Sequence, residues 1–377
     1  MFVGWRDLRF AKGRFALMGT VIVLITVLVG LLSGLTAGLG RQNVSAITGL
    51  PADRIAFDAP SGGAALSYAN STVTARQWLR WAGTPGVTSA EPLGITVTRA
   101  VAGAKSVGVS AFGVRPGSAL APDGAEIGEH TAVLSASAAD DLGVRPGGTI
   151  TLAGRELTVA AVRGDAHFSH TPVIWTSLDV WRKTAPPTGT AEGPAAGGAT
   201  AGGSAADGPT ATVIALTTTS RADVKAADKA AGTRTVSKGA SLSAIGSYTS
   251  ENGSLQLMRG FLFAISALVI GAFFTVWTIQ RSGDVAILKA LGASTAGLLR
   301  DALGQAVVLL TGGTLVGTAI AAALGALVAG SSVPFVLTLA TVLVPAAVMI
   351  LLGALGAALS VRRITSVDPL TALGSAR

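Results

Sequence analysis

Few side chains in this sequence have types and spacings that suit covalent or metal chemistry. The chain has 377 residues, three histidines and no cysteine, which excludes disulfides, zinc–thiolate sites and thiol catalysis. His167 and His170 lie close together but follow a predicted strand and precede Thr171-Pro172. A histidine pair binds metal when a helix presents both side chains on one face. We therefore interpret this pair as a solvated loop and predict no metal site and no catalytic residue.

The composition indicates a membrane protein. Half of the residues are hydrophobic and 13% are charged, whereas a soluble domain carries about 25% charge. The net charge is +8, but its excess flanks the apolar stretches: residues 41–259 hold 18 Lys and Arg against 16 Asp and Glu, and the rest of the chain holds 10 against 4. This distribution is typical of membrane topology rather than of nucleic-acid binding.

Long charge-free runs predict four transmembrane helices, since about 20 apolar residues cross the hydrocarbon. The first run exceeds the core of a signal peptide, about 7–15 residues, so we expect an uncleaved anchor. Lys and Arg are in excess on the cytoplasmic side of membrane proteins. We therefore place the helix ends that these residues flank, and both termini, in the cytoplasm. These residues are Arg6, Arg9, Lys12, Arg14, Arg281, Lys289, Arg300, Arg362, Arg363 and Arg377.

The long region between the first two spans mixes strand and helix signals. Turn residues flank two alternating runs across 147–162, which predicts a hairpin. Helices are expected over 135–142 and over 220–231, the second capped by Ser220. Residues 185–210 are mainly Gly, Ala, Pro, Ser and Thr, so we expect a flexible insert without a core of its own.

The predicted fold class is therefore an integral membrane α-helical protein, with one span before and three after an inserted α+β extracytoplasmic domain. The chain begins with an amphipathic elbow helix (1–14) and the first span (15–40), and the inserted domain (41–258) follows. The second span (259–280) leads into a cytoplasmic helix (281–297). The third span (298–329), an outer turn (330–334), the fourth span (335–361) and a cytoplasmic tail (362–377) complete the chain.

The segment between the second and third spans has the features of a short helix that docks into a partner's groove. Asp284 complements the helix dipole near its start, and Gly292 suits the left-handed conformation at its end. Ser294 or Thr295 suits the cap of the next helix. The alternative is a solvated connector. The residues assigned to docking are Arg281, Asp284, Val285, Leu288, Lys289, Leu291 and Gly292.

The sequence around this segment resembles MacB/FtsX-like ABC transporter permeases. The run Gln280-Arg-Ser-Gly-Asp-Val-Ala-Ile-Leu-Lys-Ala-Leu-Gly-Ala-Ser-Thr295 resembles their loop between the second and third spans. The end, Val361-Arg-Arg-Ile-Thr-Ser-Val-Asp-Pro-Leu-Thr-Ala-Leu373, resembles their closing motif, and residues 133–162 resemble their periplasmic core domain. Asp284 stands where glutamate is more usual, which keeps the charge on a shorter side chain.

The resemblance implies the permease subunit of an ABC exporter in the cytoplasmic membrane, which works by mechanotransmission. It implies a permease homodimer and two copies of a cytoplasmic ATPase that binds ATP. The sequence contains no Gly-Lys dipeptide, which a nucleotide-binding P-loop requires, so the energy source is another chain. No intrinsic cofactor is expected.

Residues 1–15 and 35–43 resemble the haem-efflux (HrtB-type) branch of the family, which implies haem as a transported substrate. Glu251, Leu255 and Met258 would share one helix face. Met and Tyr are haem ligands, and Arg pairs with propionates. The alternative is ordinary packing and snorkelling. The candidate residues for haem are Tyr248, Glu251, Leu255, Met258, Arg41 and Arg259.

Gly30, Gly34 and Gly38 lie at intervals of four in the first span and would share one helix face. Such a face lets another helix approach closely, and we interpret it as a dimer contact. Packing within one chain is the alternative.

Other functions in the family remain open at this point. They are export of another lipophilic compound or of a lipoprotein, and force relay to a cell-wall hydrolase without transport. A membrane-anchored sensor without an ATPase is a third class.

Overall fold

The computed structural model describes most of the chain: residues 12–122, 124–184, 209–280, 294–328 and 333–365, with Gly283, Ile287 and Gly292. It divides into two compact units. The inserted unit is Gly40–Asn252, and the membrane unit combines Met1–Leu39 with Gly253–Arg377. Most of the elbow helix, residues 185–208 of the predicted insert, the outer turn at 330–332 and the tail after residue 365 lie outside the described residues.

Eight α-helices occur in the described residues. In chain order they are α1 (Lys12–Thr48), α2 (Ala75–Ala82), α3 (Ala136–Leu142), α4 (Leu178–Thr184), α5 (Val224–Ala231), α6 (Tyr248–Gln280), α7 (Thr295–Val328) and α8 (Leu339–Thr365).

Helices α1, α6, α7 and α8 are long and apolar enough to cross a bilayer. Their mean hydropathy lies between 2.0 and 2.5. One of them precedes the inserted unit and three follow it, which confirms the predicted fold class. The candidate spans are Ala16–Thr48, Tyr248–Trp277, Arg300–Val328 and Leu339–Gly356.

Two of these helices are longer than the apolar runs predict. Helix α1 continues past residue 40 to Thr48, where Gly49 and Pro51 follow. Helix α6 begins at Tyr248 instead of residue 259, and Asn252-Gly253 does not interrupt it. The added residues at the end of α1 belong to the core of the inserted unit, since Ile47 is fully buried there.

In the membrane unit, the ring of Phe335 fills a notch between two helices. A Cβ atom at Gly34 of α1 or at Gly325 of α7 would overlap this ring. The backbone N–H of Val336 also donates to the carbonyl oxygen of Gly34 at 3.1 Å. The segment before α8 is therefore seated on α1 by a ring contact and a backbone hydrogen bond.

The other two glycines of this face are covered in the same way. A Cβ at Gly30 would lie 2.9 Å from the Cβ of Ala321 in α7, and one at Gly38 would overlap the carbonyl oxygen of Pro334. These contacts favour the alternative of packing within one chain, and the dimer contact of Gly30, Gly34 and Gly38 stays a prediction. The close approach that these glycines permit is used inside one chain.

Twelve β-strands lie in the described part of the inserted unit. They are β1 (Arg54–Asp58), β2 (Val73–Thr74), β3 (Val87–Ala102), β4 (Lys105–Val114), β5 (Thr131–Leu134), β6 (Thr149–Leu152), β7 (Arg155–Val162), β8 (His167–Phe168), β9 (Thr171–Ser177), β10 (Pro209–Ala211), β11 (Val213–Thr218) and β12 (Thr233–Ser237).

The long strand β3 joins two parts of one mixed sheet. The strand order is β12-β1-β11-β3-β4-β9-β5-β7-β6, with β8 paired to β9. The first half of β3 pairs with β11, and the second half pairs with β4. Ala100 and Val101 also pair with Leu152 and Thr151 of β6, so six strands from β3 to β6 close into a ring.

The two faces of the sheet bury separate cores, because successive side chains of a strand point to opposite faces. In β1, Ala56 belongs to one core, which also contains Trp81 and Trp181. Ile55 and Phe57 belong to the other. This second core is rich in aromatic rings and receives the end of α1.

Most local predictions for the inserted unit are confirmed. Strands β6 and β7 form the expected hairpin, and Ser135 caps α3 by accepting from the N–H of Ala138. The cap predicted at Ser220 is wrong, because a turn from Thr219 to Ala222 comes first and Asp223 caps α5. Residues 209–211, partly assigned to the flexible insert, form β10 and pair with β2.

Candidate functional site

Three segments of the inserted unit meet in a polar cluster that we call the helix–hairpin junction. They are residues 42–45 of α1, the β8–β9 hairpin tip at 167–170, and residues 247–251 at the start of α6. Oε2 of Glu251 accepts a hydrogen bond from Nδ2 of Asn43 at 2.9 Å. The same oxygen lies 2.6 Å from Nε2 of His170. Nδ2 of Asn43 also donates to Oγ of Ser247 at 3.1 Å.

Both hydrogen bonds to Glu251 use one carboxylate oxygen. A carboxylate oxygen accepts hydrogen bonds, so the 2.6 Å contact is a hydrogen bond in the tautomer that carries a proton on Nε2 of His170. Oε1 of Glu251 has no hydrogen-bond partner within the described residues. The Glu251 side chain is 42% exposed and that of His170 is 33% exposed, whereas Asn43 is buried. The carboxylate is therefore held from the protein side and remains open to a ligand.

The hairpin tip has an uncommon backbone. Ser169 and His170 form a two-residue turn with φ values of 49° and 65°. Such turns favour Asn-Gly, because the left-handed region costs other residues roughly 1–2 kcal/mol each. The backbone N–H groups of Ser169 and His170 donate to the carbonyl oxygens of Asn43 and Gln42, at 2.9 and 3.1 Å. These two bonds fix the tip on α1.

The strand beside the tip is anchored in the aromatic core. The ring of Phe168 makes edge contacts with Tyr68 and Phe112, at centroid distances of 5.5 and 5.7 Å. Burial raises the pKa of Tyr68, although the hydrogen bond from its hydroxyl to Ser241 acts in the opposite direction. Phe168 therefore ties the junction to the sheet through neutral, buried groups.

The prediction of a solvated loop for the histidine pair is wrong. His167 lies in β8 with 6% of its surface exposed, and its N–H donates to Oγ of Ser45 at 2.8 Å. Phe168 pairs with Thr171, so the turn between the histidines is as short as a hairpin allows. This turn moves His170 away from His167 and against Glu251. The described part of the chain contains no group of three or more His, Cys, Asp or Glu that could hold a metal ion.

The other candidate residues for haem lie along α6 or at the end of α1. Tyr248 packs partly buried against the aromatic core, Leu255 is half-buried and Met258 is 49% exposed. Arg41 is exposed in the inserted unit. Arg259 belongs to the membrane unit, and its buried Nε has no hydrogen-bond partner among the residues described. Of this set, Tyr248 and Glu251 lie in the helix–hairpin junction, and Glu251 makes side-chain hydrogen bonds there.

Most of the predicted docking segment lies outside the described residues: Arg281, Asp284, Val285, Leu288, Lys289 and Leu291. Gly283 and Ile287 are helical, and Gly292 has a φ of +95°. Oγ of Ser294 accepts from the N–H of Gly297 at 3.2 Å, which is the cap predicted for the next helix.

The sequence does not indicate Asn43, Ser247 or His170 as partners of Glu251. Asn43 and Glu251 are 208 residues apart, and His170 and Glu251 are 81 apart. The only local signal is Ser-His in a short turn where Asn-Gly would be favoured.

Comparison with known proteins shows two family matches. A MacB-like periplasmic core domain matches residues 15–234, and an FtsX-like permease C-terminal domain matches residues 257–369.

Two relatives illustrate the range of these matches. The chain is 36% identical over 143 residues to a Staphylococcus haemolyticus protein named as a hemin transport system permease protein, HrtB. This alignment covers 38% of the chain and 40% of that relative. The pyoverdine export ATP-binding/permease protein PvdT of Pseudomonas syringae pv. tomato is 32% identical over 126 residues, which cover 32% of the chain and 19% of PvdT. The chain thus spans less than half of the length of either relative.

Among solved structures, the periplasmic region of MacB from Actinobacillus actinomycetemcomitans aligns with a TM-score of 0.34 and 12% identity. The alignment covers 52% of the chain and 94% of that structure.

Proposed function

Because the chain belongs to the family of permeases with a MacB-like periplasmic core and an FtsX-like C-terminal domain, we propose that it is the membrane subunit of an ABC exporter. The observation that carries this proposal is the order of its parts, in which one apolar helix precedes the inserted unit and three follow it. The family matches run along both parts. The chain is a membrane protein, and ATP hydrolysis is assigned to a separate chain.

In this proposal the segment 281–297 docks on a cytoplasmic ATPase, and both termini lie on the same side of the membrane. Two permease chains would pair with two ATPase copies. The inserted unit would lie outside the cytoplasm. Nucleotide-driven movement of the docking segment would pass along α6 and α7, the two helices that flank it. The Gly30 face is covered within one chain, which favours another surface for the dimer contact.

We propose haem as the substrate, entering from the outer leaflet between paired chains. Two features support this choice: the name of the HrtB relative, and the half-exposed carboxylate of Glu251 near the start of α6. Carboxylate is a ligand of iron in non-haem protein sites, which makes Glu251 a candidate ligand for haem iron. Export of another lipophilic compound is the competing proposal, supported by the PvdT match.

The test is purification of the full chain in nanodiscs together with its ATPase. We expect stable co-purification, a shifted Soret band on addition of hemin, and ATP hydrolysis that rises severalfold with hemin. Asp284→Lys should abolish co-purification, whereas Glu129→Lys, the same reversal at an exposed site of the inserted unit, should not.

Each result separates one part of the proposal from the others. A complex that survives Asp284→Lys contradicts the docking segment. If hemin neither shifts the Soret band nor changes the rate of ATP hydrolysis, haem is not the substrate. An ATPase rate that no lipophilic compound changes favours force relay over export.

A further inference from the structure

We propose that His170 is a positioning residue that holds the Glu251 carboxylate in place for haem iron. This inference rests on the proposed haem function and deepens it. The proposed haem function gives no role to His170, and the sequence predicts only a solvated loop at this position. Its contacts at the helix–hairpin junction point to a different role.

The Glu251 carboxylate is held through one of its two oxygens. Nδ2 of Asn43 and Nε2 of His170 both contact Oε2, at 2.9 and 2.6 Å. Two donors on one oxygen restrict rotation of the carboxylate, and Oε1 stays without a partner among the described residues. A carboxylate that ligates a metal is commonly oriented by hydrogen bonds of this kind.

Both groups that contact this oxygen are themselves fixed. Asn43 is 2% exposed and also bonds to Ser247. The backbone of His170 is held on α1 by its N–H bond to Gln42, and the neighbouring Phe168 is locked in the aromatic core. The imidazole therefore contacts Glu251 from a rigid support, as a preorganised binding site requires.

The hairpin tip has a backbone conformation that few residue types adopt. His170 has a left-handed φ of 65°, a region that residues other than Gly seldom occupy and in which Asn, Asp and His are the more frequent exceptions. Histidine therefore suits this turn, and its imidazole is placed against the Glu251 carboxylate. Its side chain has a single described hydrogen-bond partner, the carboxylate of Glu251.

The experiment compares hemin with protoporphyrin IX, which has the same ring and propionates but no iron. Full-length protein in nanodiscs is titrated with each compound, using wild type, Glu251→Gln, His170→Asn and His170→Gln. Asn tolerates the left-handed turn but is too short to replace the imidazole, whereas Gln retains a donor at greater reach.

We expect His170→Asn to weaken hemin affinity about tenfold, the scale seen when a residue behind a metal ligand is lost. Glu251→Gln should weaken it at least as much, and His170→Gln should restore part of the loss. Affinity for protoporphyrin IX should stay at the wild-type value in all variants, because the effect acts through iron. The thermal midpoint of His170→Asn should stay close to the wild-type value, because Asn also tolerates the left-handed turn.

Three results would overturn the inference. If His170→Asn binds hemin with wild-type affinity while Glu251→Gln loses affinity, Glu251 contributes to hemin binding without His170 as a positioning residue. Equal losses for hemin and protoporphyrin IX, or a lowered thermal midpoint, show a structural role. Absence of hemin binding by the wild-type protein overturns the proposed haem function and this inference with it.

Discussion

The inserted unit and the membrane unit are packed with different kinds of side chain. The inserted unit buries large rings, such as Trp81, Phe57 and Phe112, on both faces of its sheet. In the membrane unit, glycines on α1 and α7 admit a single ring, Phe335. In water, burial of apolar side chains stabilises the inserted unit. In lipid that gain is absent, and close packing between helices stabilises the membrane unit instead. Loss of a large ring should therefore be the most harmful change in the inserted unit, and added volume on the glycine face should be the most harmful change in the membrane unit.

The largest effect expected from this difference is in the inserted unit. Trp81→Ala removes a fully buried ring and the hydrogen bond from its Nε1 to Oγ1 of Thr233 at 3.0 Å. We expect a loss of about 3–5 kcal/mol, the usual cost of deleting a core aromatic. Chemical unfolding of the purified protein, followed by fluorescence, measures it. Leu79→Ala on the same helix is the control, because Leu79 is 60% exposed. Equal effects of both changes would contradict the assignment of the core.

A smaller loss of stability, caused by added rather than removed volume, is expected in the membrane unit. Gly34→Leu places a side chain where the ring of Phe335 lies, and overpacking costs about 1–3 kcal/mol. Phe335→Ala should partly rescue Gly34→Leu in a double-mutant cycle, measured as the thermal midpoint in detergent. Gly312→Ala is the control, since nothing lies within 4 Å of its added Cβ. A Gly34→Leu protein that keeps its thermal midpoint but loses dimers would restore the dimer contact that the structure argues against.

The smallest effect concerns the polar edge of the aromatic core. Tyr68→Phe removes the 2.9 Å hydrogen bond to Ser241 and should cost about 1 kcal/mol at neutral pH. Burial raises the pKa of Tyr68 in the folded state, so the unfolded chain loses its proton first. The contribution of Tyr68 is complete below the pKa of an unfolded tyrosine, about 10, and falls as the pH rises above it. Unfolding curves at rising pH should show the gap between the two proteins closing, whereas a constant gap would contradict the buried phenol.

The parts of this molecule that could be predicted are those set by local pattern. Charge-free length predicts the four spans, because the bilayer excludes charge. Alternation predicts the β6–β7 hairpin, and Ser135 predicts the start of α3. The ends of α1 and α6 could not be predicted from hydropathy, since both helices continue through polar residues that fold with the inserted unit.

The helix–hairpin junction and the glycine face required the tertiary structure. His170 meets Glu251 only because a two-residue turn reverses the chain after Phe168. The spacing of Gly34 and Gly38 indicates close approach but does not identify the neighbour. Phe335 and Pro334 fill that space from a segment about 300 residues further along the chain.

The pairing of strand β3 has a consequence for the order in which the inserted unit is completed. Its second half pairs with β4 through a short hairpin. Its first half pairs with β11, for example Leu93 with Val213, and β11 is synthesised more than 100 residues later. β1 likewise pairs only with β11 and β12. During synthesis, the early strands therefore have open edges until the chain beyond residue 218 has emerged. Pairings of such long sequence separation form slowly, so the last strands to be made set the pace of folding.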